Sequence, residues 1–464
     1  MSMIKAIGKA IAPVTLTVSL TVGLLLGSTA LRAETLGDAL AAGYENSGLL
    51  EQNRALLRAA DEDVAQAVSA LMPIVNWSLQ ASSTYPRSSG FFAPEEVNAS
   101  LQISAQLTLY DGGANQLAID AQKELVLATR ESLLGDEQQV LLRIVQAYMN
   151  VRRSNEFVSL RDSNLRLITQ ELRAAQDRFE VGEVTRTDVS LAEARLASAR
   201  SQLAAEQGGL ARAQAEYEAA VGHPARNLAA AGPAPVGQSI PQAIDLAQRQ
   251  HPSILQSQHS VAAAELNVSR AETAMQPTLT LSGSAGIDDD RAVSEQLGLN
   301  LSGPIYQGGR LSSQVRQFMA RRDAARSNLL IVSQGVEQAV RNAYSQLEVA
   351  RASRDASNRQ VEAAQAAFDG IREEATLGAR TTLDVLNAEQ ELLDARANLI
   401  SAMVDETVAS YAVLSAMGLL TAQHLELNVQ IYDPATYYNL VKDAPTIRSE
   451  QGAALDRVLQ AIGD

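Results

Sequence analysis

The sequence contains no cysteine and only four histidines among its 464 residues. The absence of cysteine excludes disulfides, thiolate metal sites and cysteine nucleophiles, and also a lipid anchor on an N-terminal cysteine. Four histidines provide little material for a metal-binding or catalytic cluster. We therefore expect a protein that is not an enzyme and that has no cofactor and no bound metal.

Basic charge and aromatic side chains are also scarce. The formal net charge is −15 at pH 7, and aromatic residues make up 4% of the chain. Nucleic-acid binding needs a concentrated basic surface, so nucleic acid is not an expected partner. Few aromatic residues together with abundant alanine are typical of long, closely packed helices rather than of a bulky globular core.

The N-terminal region has the pattern of a secretory signal peptide. Two lysines precede an apolar stretch at about 11–26, and small residues allow cleavage after Ala30 or after Ala33. The alternative is a transmembrane anchor, but proline and threonine residues dilute the stretch, and no second apolar run of membrane-spanning length follows. We predict a signal peptide at 1–33 and an exported protein.

The rest of the chain repeats one pattern twice. Residues 35–73 align without gaps on 239–277, and the tetrapeptide at 110–113 matches the one at 306–309. The alignment then keeps one register to the end of each copy. The two copies therefore differ in length only between residues 73 and 110 of the first copy and residues 277 and 306 of the second. Such a long match is not expected by chance.

This repeat divides the exported chain into four parts. We predict a first copy at 34–222, a linker at 223–238, a second copy at 239–420 and a C-terminal tail at 421–464.

Each copy contains a long stretch that is compatible with continuous helices. No proline occurs between Pro94 and Pro224 or between Pro304 and Pro434, and a proline inside a helix costs roughly 3 kcal/mol. Large apolar residues recur every seven positions, as in the series Ile144, Val151, Val158, Leu165, Leu172 and Phe179. A helix over 114–181 would be roughly 100 Å long, which suits a tunnel or, alternatively, a soluble coiled coil.

Four shorter segments alternate apolar and polar residues, at about 74–85, 99–110, 278–287 and 295–305. This alternation predicts strands with one apolar and one polar face, each long enough to cross a bilayer when tilted. We expect these residues to face lipid: Leu101, Ile103, Leu107, Leu279, Leu299 and Leu301. We expect these residues to face the lumen: Gln102, Ser104, Thr280 and Asn300. The alternative is an ordinary half-buried antiparallel sheet.

Four strands cannot close a barrel, and an open sheet edge in lipid would leave backbone groups without hydrogen bonds. The chain is therefore expected to oligomerise, with eight or twelve strands closing the ring.

Four segments form strand-to-helix or helix-to-helix junctions: 109–113 (LYDGG), 305–309 (IYQGG), 181–189 (VGEVTRTDV) and 377–386 (LGARTTLDVL). These junctions resemble those of the TolC family of outer-membrane efflux and secretion ducts. The resemblance extends from about Thr35 to Tyr438. It implies an α+β fold with a two-fold internal repeat, in which long antiparallel coiled-coil helices form a periplasmic α-barrel. Four strands per protomer would join a twelve-stranded transmembrane barrel in a homotrimer.

The resemblance also implies the surroundings of the protein. It places the chain in the outer membrane, in contact with outer-membrane lipid and extending into the periplasm. The linker and the tail would form an equatorial belt around the helices. The expected partners are a periplasmic adaptor and an inner-membrane transporter of the ABC or RND type.

Two groups of residues are candidate site residues. The helical turns at 181–187 and 377–383 are expected to form the periplasmic tips and to meet the adaptor through Gly182, Glu183, Val184, Gly378 and Ala379. The resemblance further implies a charge-controlled constriction that contains Asp384, Arg380, Asp188, Thr187 and Asn387.

The constriction is expected to be closed at rest. Asp384 would face the axis, and Arg380 would tie the tip helices together through Thr187 and Asp188. Family members have a second acidic residue where this chain has Asn387. The alternative is that Asp188 and Asp384 only cap the starts of helices, where a negative charge is favoured.

Together these features predict a passive outer-membrane channel of a tripartite export system, for type I secretion, multidrug efflux or both. The alternative function is a periplasmic or surface coiled-coil protein without a pore. The sequence does not identify the cargo.

Overall fold

The structure is a computed structural model that describes residues 33–84, 96–446 and 448–463. The predicted signal peptide lies outside the described residues except for Ala33. The first copy of the repeat folds into two short helices, a hairpin of strands and two long helices. Its elements are α1 (Leu36–Asn46), α2 (Gly48–Ser69), β1 (Ile74–Thr84), β2 (Glu96–Tyr110), α3 (Ala114–Glu180) and α4 (Arg186–Val221).

The second copy has the same order of elements. They are α5 (Ile240–Gln250), α6 (Pro252–Thr273), β3 (Thr278–Asp288), β4 (Val293–Ser302), α7 (Arg310–Thr376) and α8 (Thr382–Ala416). Helices α3 and α7 both contain 67 residues, so each is roughly 100 Å long. The tail adds α9 (Pro434–Val441) and α10 (Glu450–Gly463).

Two of the strands differ from the sequence prediction at their ends. Strand β2 begins at Glu96 rather than at about 99, because the ladder with β1 continues as far as the pair Thr84 and Glu96. Strand β4 runs from Val293 to Ser302 rather than over 295–305. It ends before Pro304, which has no backbone N–H to donate to a ladder.

The four strands form one antiparallel sheet in the order β1-β2-β3-β4. Apolar residues pair with apolar residues across the strands, as in the row Leu79, Leu101, Ile287 and Val293. Polar residues occupy the neighbouring rows, as in Asn76, Ser104, Ser284 and Gln296. The sheet therefore has one apolar and one polar face, with Glu295 as a charged exception on the apolar face.

Glycine pairs and a cap mark the change from strand to long helix. Gly112 and Gly113 have positive φ angles of 68° and 86°, which residues with a side chain adopt at a cost. Asp111 accepts hydrogen bonds from the backbone N–H of Gly113 (2.9 Å) and of Asn115 (2.8 Å). The turn and the cap together allow α3 to start directly below the sheet.

The main core surrounds two tyrosines that are equivalent in the repeat. Tyr148 donates hydrogen bonds to the backbone carbonyls of Glu34 (2.9 Å) and Ala229 (2.8 Å). Tyr344 donates to the carbonyl of Gln238 at 3.1 Å. Both tyrosines are buried on long helices, so each copy of the repeat binds the backbone of the linker through the same side chain.

The tail packs against the same middle region of the long helices. The carboxylate of Glu137 on α3 accepts a hydrogen bond from the backbone N–H of Ala422 at 2.6 Å. Tyr437 on α9 donates to Glu62 on α2 at 2.8 Å. The linker and the tail therefore both contact the helices at points far from their ends.

By length and composition alone, one helix among the described residues could cross a membrane, namely α8. It packs along α7 and α3, and nearly half of its most apolar stretch is buried there. We therefore assign α8 to the helical body.

Candidate gate at the helical tips

A glycine turn closes each long helical hairpin. Gly182 follows α3 and Gly378 follows α7, with φ angles of 82° and 78°. After each turn the backbone N–H of the next residue binds back to the helix, from Glu183 to Arg178 and from Ala379 to Glu374, both at 2.9 Å. These bonds satisfy carbonyls that the helix ends leave without partners.

Each turn presents an apolar side chain to solvent. Val181 is 72% exposed and Leu377 is 79% exposed. They lie in equivalent positions of the two copies, at the end of the protomer that is farthest from the sheet. Exposed apolar side chains at such an end are a suitable contact for a partner protein.

The helix that follows each turn begins with a capping box. At α4, the backbone and hydroxyl of Thr185 donate to Asp188 at 2.8 and 2.7 Å. At α8, the backbone and hydroxyl of Thr381 donate to Asp384 at 2.9 and 2.8 Å. The hydrogen bonds from the threonines lower the pKa of both aspartates, so both remain charged at neutral pH while they cap their helices.

Within the described protomer, Arg380 pairs with a residue on the other side of its own turn. Its Nε donates to the carboxylate of Glu374 at 2.7 Å, and no contact with Thr187 or Asp188 is found within the described protomer. The turn at Gly378 reverses the chain, and this reversal brings Glu374 next to Arg380. Both side chains are about half exposed, so solvent screens the pair.

Asn387 makes a contact between the two hairpins. Its side-chain carbonyl accepts a hydrogen bond from Arg195 of α4 at 3.2 Å. The sequence analysis did not identify Arg195. The available signal was its position one heptad after Asp188, which places both residues on similar faces of α4.

A buried polar pair lies further from the tip and was also missed. Asn164 of α3 donates to the carboxylate of Glu389 of α8 at 2.6 Å. Asn164 is 7% exposed and Glu389 is 5% exposed. Burial raises the pKa of Glu389 to about 7, against the opposing effect of the hydrogen bond from Asn164. The heptad series did not indicate this pair, because Asn164 lies one position before Leu165 and not at a position of the series.

The structure gathers part of the predicted site around one cleft. A cavity of about 580 Å³ between the two turns is lined by Glu183, Val184, Asp188, Gly378 and Arg380, among others. Thr187, Asp384, Asn387, Gly182 and Ala379 do not line it. In the described part of the chain, no group of His, Asp and Glu residues is arranged to hold a metal ion.

A sheet with one apolar and one polar face, continued by helices roughly 100 Å long that end in closed turns, defines the protomer of an outer-membrane duct. The family model of the outer membrane efflux protein matches residues 43–223 and 243–419. The chain therefore belongs to the outer membrane efflux protein family, to which TolC also belongs, and the predicted family resemblance is confirmed.

Similar proteins align with this chain over most of their lengths. The outer membrane efflux protein BepC of Brucella suis biovar 1 (strain 1330) is 38% identical over 431 residues, which cover 91% of this chain and 93% of BepC. TolC of Escherichia coli (strain K12) is 27% identical, with coverage of 79% and 78%. The Campylobacter jejuni CmeC outer membrane channel has the same fold, with a TM-score of 0.73, 17% identity and coverage of 89% and 90%.

Family membership settles the main sequence predictions. The protein is a non-enzymatic outer-membrane channel of tripartite efflux or secretion systems, and it extends into the periplasm. The predicted combination of long helices and four antiparallel strands in two repeats is confirmed. Membership also implies a trimer that works with an adaptor and an inner-membrane pump.

Proposed function

We propose that three copies of the chain form a twelve-stranded barrel that continues into a helical tunnel and acts as a passive duct. The observation that carries the proposal is the sheet of one protomer, in which apolar rows and polar rows run across all four strands. In a closed ring the apolar face contacts lipid and the polar face lines water. Strands β1 and β4 are the free edges of this sheet, and pairing between copies removes them.

We further propose that the tips bind the periplasmic adaptor through Gly182, Glu183, Val184, Gly378 and Ala379. The exposed Val181 and Leu377 support this assignment because they add an apolar surface at the same end. The inner-membrane partner would be an ABC or RND transporter. The channel would serve type I protein secretion, multidrug efflux or both. The linker and the tail would form a belt, which their contacts with Tyr148, Tyr344 and Glu137 support.

The proposed gate is the set Asp384, Arg380, Asp188, Thr187 and Asn387. The lowered pKa values of Asp188 and Asp384 support this proposal. Both aspartates stay negatively charged while they cap their helices, so they can also form a ring of negative charge. Under three-fold symmetry the Asp384 carboxylates would surround a narrow axis, where such a ring selects cations.

Cross-linking tests the ring of strands. One cysteine on β1 and one on β4 of this cysteine-free chain should give disulfide-linked trimers in outer-membrane fractions. A pair on β1 and β3 is the matched control, because β2 separates these strands within the sheet. Monomers and dimers without a covalent trimer would contradict the closed ring.

A further inference from the structure

The contact between Asn164 and Glu389 joins the two halves of the protomer. Asn164 belongs to the first hairpin, α3 with α4, and Glu389 belongs to the second, α7 with α8. The contact lies five residues beyond Asp384, within two helical turns of the proposed gate. Any outward movement of the second hairpin at this level must break the hydrogen bond of 2.6 Å between them.

The surroundings of Glu389 are mostly apolar. Leu167 of α3 and Phe368 of α7 pack in the cluster that includes Leu392 of α8, and Leu160 and Leu393 line the cavity beside the carboxylate. A charge in such a site loses most of its hydration, which disfavours the ionised form.

The charged and titratable groups around Glu389 come from all four long helices. Glu171 of α3 opposes its ionisation, whereas Arg195 of α4 and Arg372 of α7 favour it. Arg396 of α8 lines the same cavity and donates to Gln365 of α7 at 2.6 Å. The arginines do not cancel the effect of burial, since the pKa of Glu389 is still raised to about 7.

A cavity of about 130 Å³ adjoins the pair and opens toward solvent. Its volume exceeds the roughly 30 Å³ that a water molecule occupies in the liquid. The carboxylate can therefore exchange a proton with solvent without separation of the hairpins.

We propose that Glu389 is a proton-dependent joint between the two hairpins: protonated, it keeps α8 packed on α3, and ionised, it favours their separation and the opening of the tip. The regulation of the tip rests on the proposed gate, whereas the joint itself rests on the contact between Asn164 and Glu389.

The direction of the pH effect follows from the linkage between proton binding by Glu389 and packing of the hairpins. The packed joint binds a proton with a pKa of about 7, compared with 4.5 for an exposed glutamate. The stabilisation of the packed hairpins by protonated Glu389 is therefore complete below about pH 4.5, and it is lost as the pH rises through about 7. Across that window the equilibrium between packed and separated hairpins changes by up to roughly three hundredfold.

Distance measurements between spin labels test the joint in the full-length mature protein. Labels are placed on cysteines introduced at Gln170 of α3 and Asp394 of α8, which are both exposed. Mixing with unlabelled chains leaves one labelled pair per assembly. We expect the long-distance population to grow as the pH is raised from about 5 to about 9, on either side of the pKa of Glu389.

Variants separate the joint from other titrating groups. Glu389→Gln should keep the short distance at every pH, because the amide stays neutral. Glu391→Gln is the matched control on an exposed glutamate of the same helix and should behave like the wild type. Asn164→Leu should enlarge the long-distance population above about pH 7, because it removes the hydrogen bond that holds the ionised carboxylate in the packed joint. An unchanged pH response in Glu389→Gln, or none in the wild type, overturns the proposal.

Conductance in planar bilayers tests the gate separately. If the joint controls the tip, conductance of the wild type should rise over the same pH range and that of Glu389→Gln should stay low. A pH-dependent distance with constant conductance would support the joint and overturn its link to the gate. A pH-dependent conductance that Glu389→Gln retains would overturn the role of Glu389 in the gate.

Discussion

At the scale of single residues, the tips show how one carboxylate can cap a helix and stay ionised. Asp384 accepts two hydrogen bonds from Thr381, and these bonds lower its pKa. The lower pKa keeps the side chain ionised at neutral pH, which a cation-selective ring requires. A role in the gate is therefore decided by the charge of Asp384 and not by its hydrogen bonds.

This distinction gives a prediction for Asp384. Asp384→Asn removes the charge but keeps an oxygen that can accept from Thr381, whereas Asp384→Ala removes both. If three carboxylates form the ring, both variants should show weaker block by multivalent cations in planar bilayers. Block of Asp384→Asn at the wild-type level, with loss only in Asp384→Ala, would mean that the residue acts as a cap.

Arg380 provides a second prediction at the tip. Arg380→Ser removes the partner of Glu374 and the positive charge nearest the Gly378 turn. We expect a higher resting conductance because the closed tip loses an ionic contact. Arg178→Ser, on the opposite side of the same cleft, is the comparison, and an equal rise in both variants would point to general loss of positive charge.

A buried aspartate in the middle region gives a stability prediction. Asp61 is 0% exposed, neither carboxylate oxygen has a hydrogen bond, and Arg130 is 4.0 Å away. Burial raises its pKa to about 6 from 3.8. The favourable contribution of protonated Asp61 to the free energy of unfolding is therefore complete below about pH 3.8, and it is lost as the pH rises through about 6.

Asp61→Asn should therefore stabilise the protein above about pH 6, by about 1–3 kcal/mol, and should have little effect below about pH 4. Thermal unfolding of the detergent-extracted protein across this pH range measures the difference. Asp63→Asn is the control, because Asp63 is exposed on the same helix. Equal effects of the two variants, or a destabilised Asp61→Asn at pH 8, would contradict the account.

At the scale of elements, the sequence allowed the helices and strands to be predicted because their signals are local. Alternation in the segment of β2 and the long proline-free stretch of α3 are each readable from neighbouring residues. The contacts of Arg195 with Asn387 and of Asn164 with Glu389 were missed because they join helices that are far apart in sequence. A seven-residue repeat shows which face of a helix is buried, but not which helix covers it.

Strand β4 provides a test of the two faces of the sheet. Leu299 pairs with Leu281 on the apolar face, and Asn300 pairs with Thr280 on the polar face. Leu299→Arg should cost about 2–4 kcal/mol near the bilayer midplane, because it places a charge in lipid. Asn300→Arg is the matched control, since its side chain would face water. The yield of heat-modifiable trimers and urea titration in vesicles measure the cost, and greater damage from Asn300→Arg would reverse the faces.

At the scale of the whole molecule, the repeat places two equivalent turns at the same distance from the membrane. In both copies a helix of 67 residues separates the strands from a glycine turn, so both turns lie at the same distance from the sheet. In a trimer this arrangement gives six tips, and an adaptor that binds them would contact two slightly different surfaces in alternation. The pair Glu183-Val184 in one turn and Ala379-Arg380 in the other is the difference that an adaptor could distinguish.

Substitution of the turn glycines tests whether the tips dock the adaptor. Gly182 and Gly378 have positive φ angles, and an added Cβ would meet no neighbouring atom at either position. Gly182→Leu and Gly378→Leu therefore change the local backbone of the turn and leave the packing of the helices intact. We expect export to be lost in both variants, while trimers remain in the outer membrane.

Gly208→Leu is the matched control, because Gly208 is an exposed glycine within α4 that also has no atoms near an added Cβ. It should export normally, since a leucine is well tolerated inside a helix. Export assays should be combined with chemical cross-linking to the adaptor, so that loss of export can be traced to loss of contact. Normal export by both tip variants would remove the tips from docking, because no other described segment lies as far from the sheet.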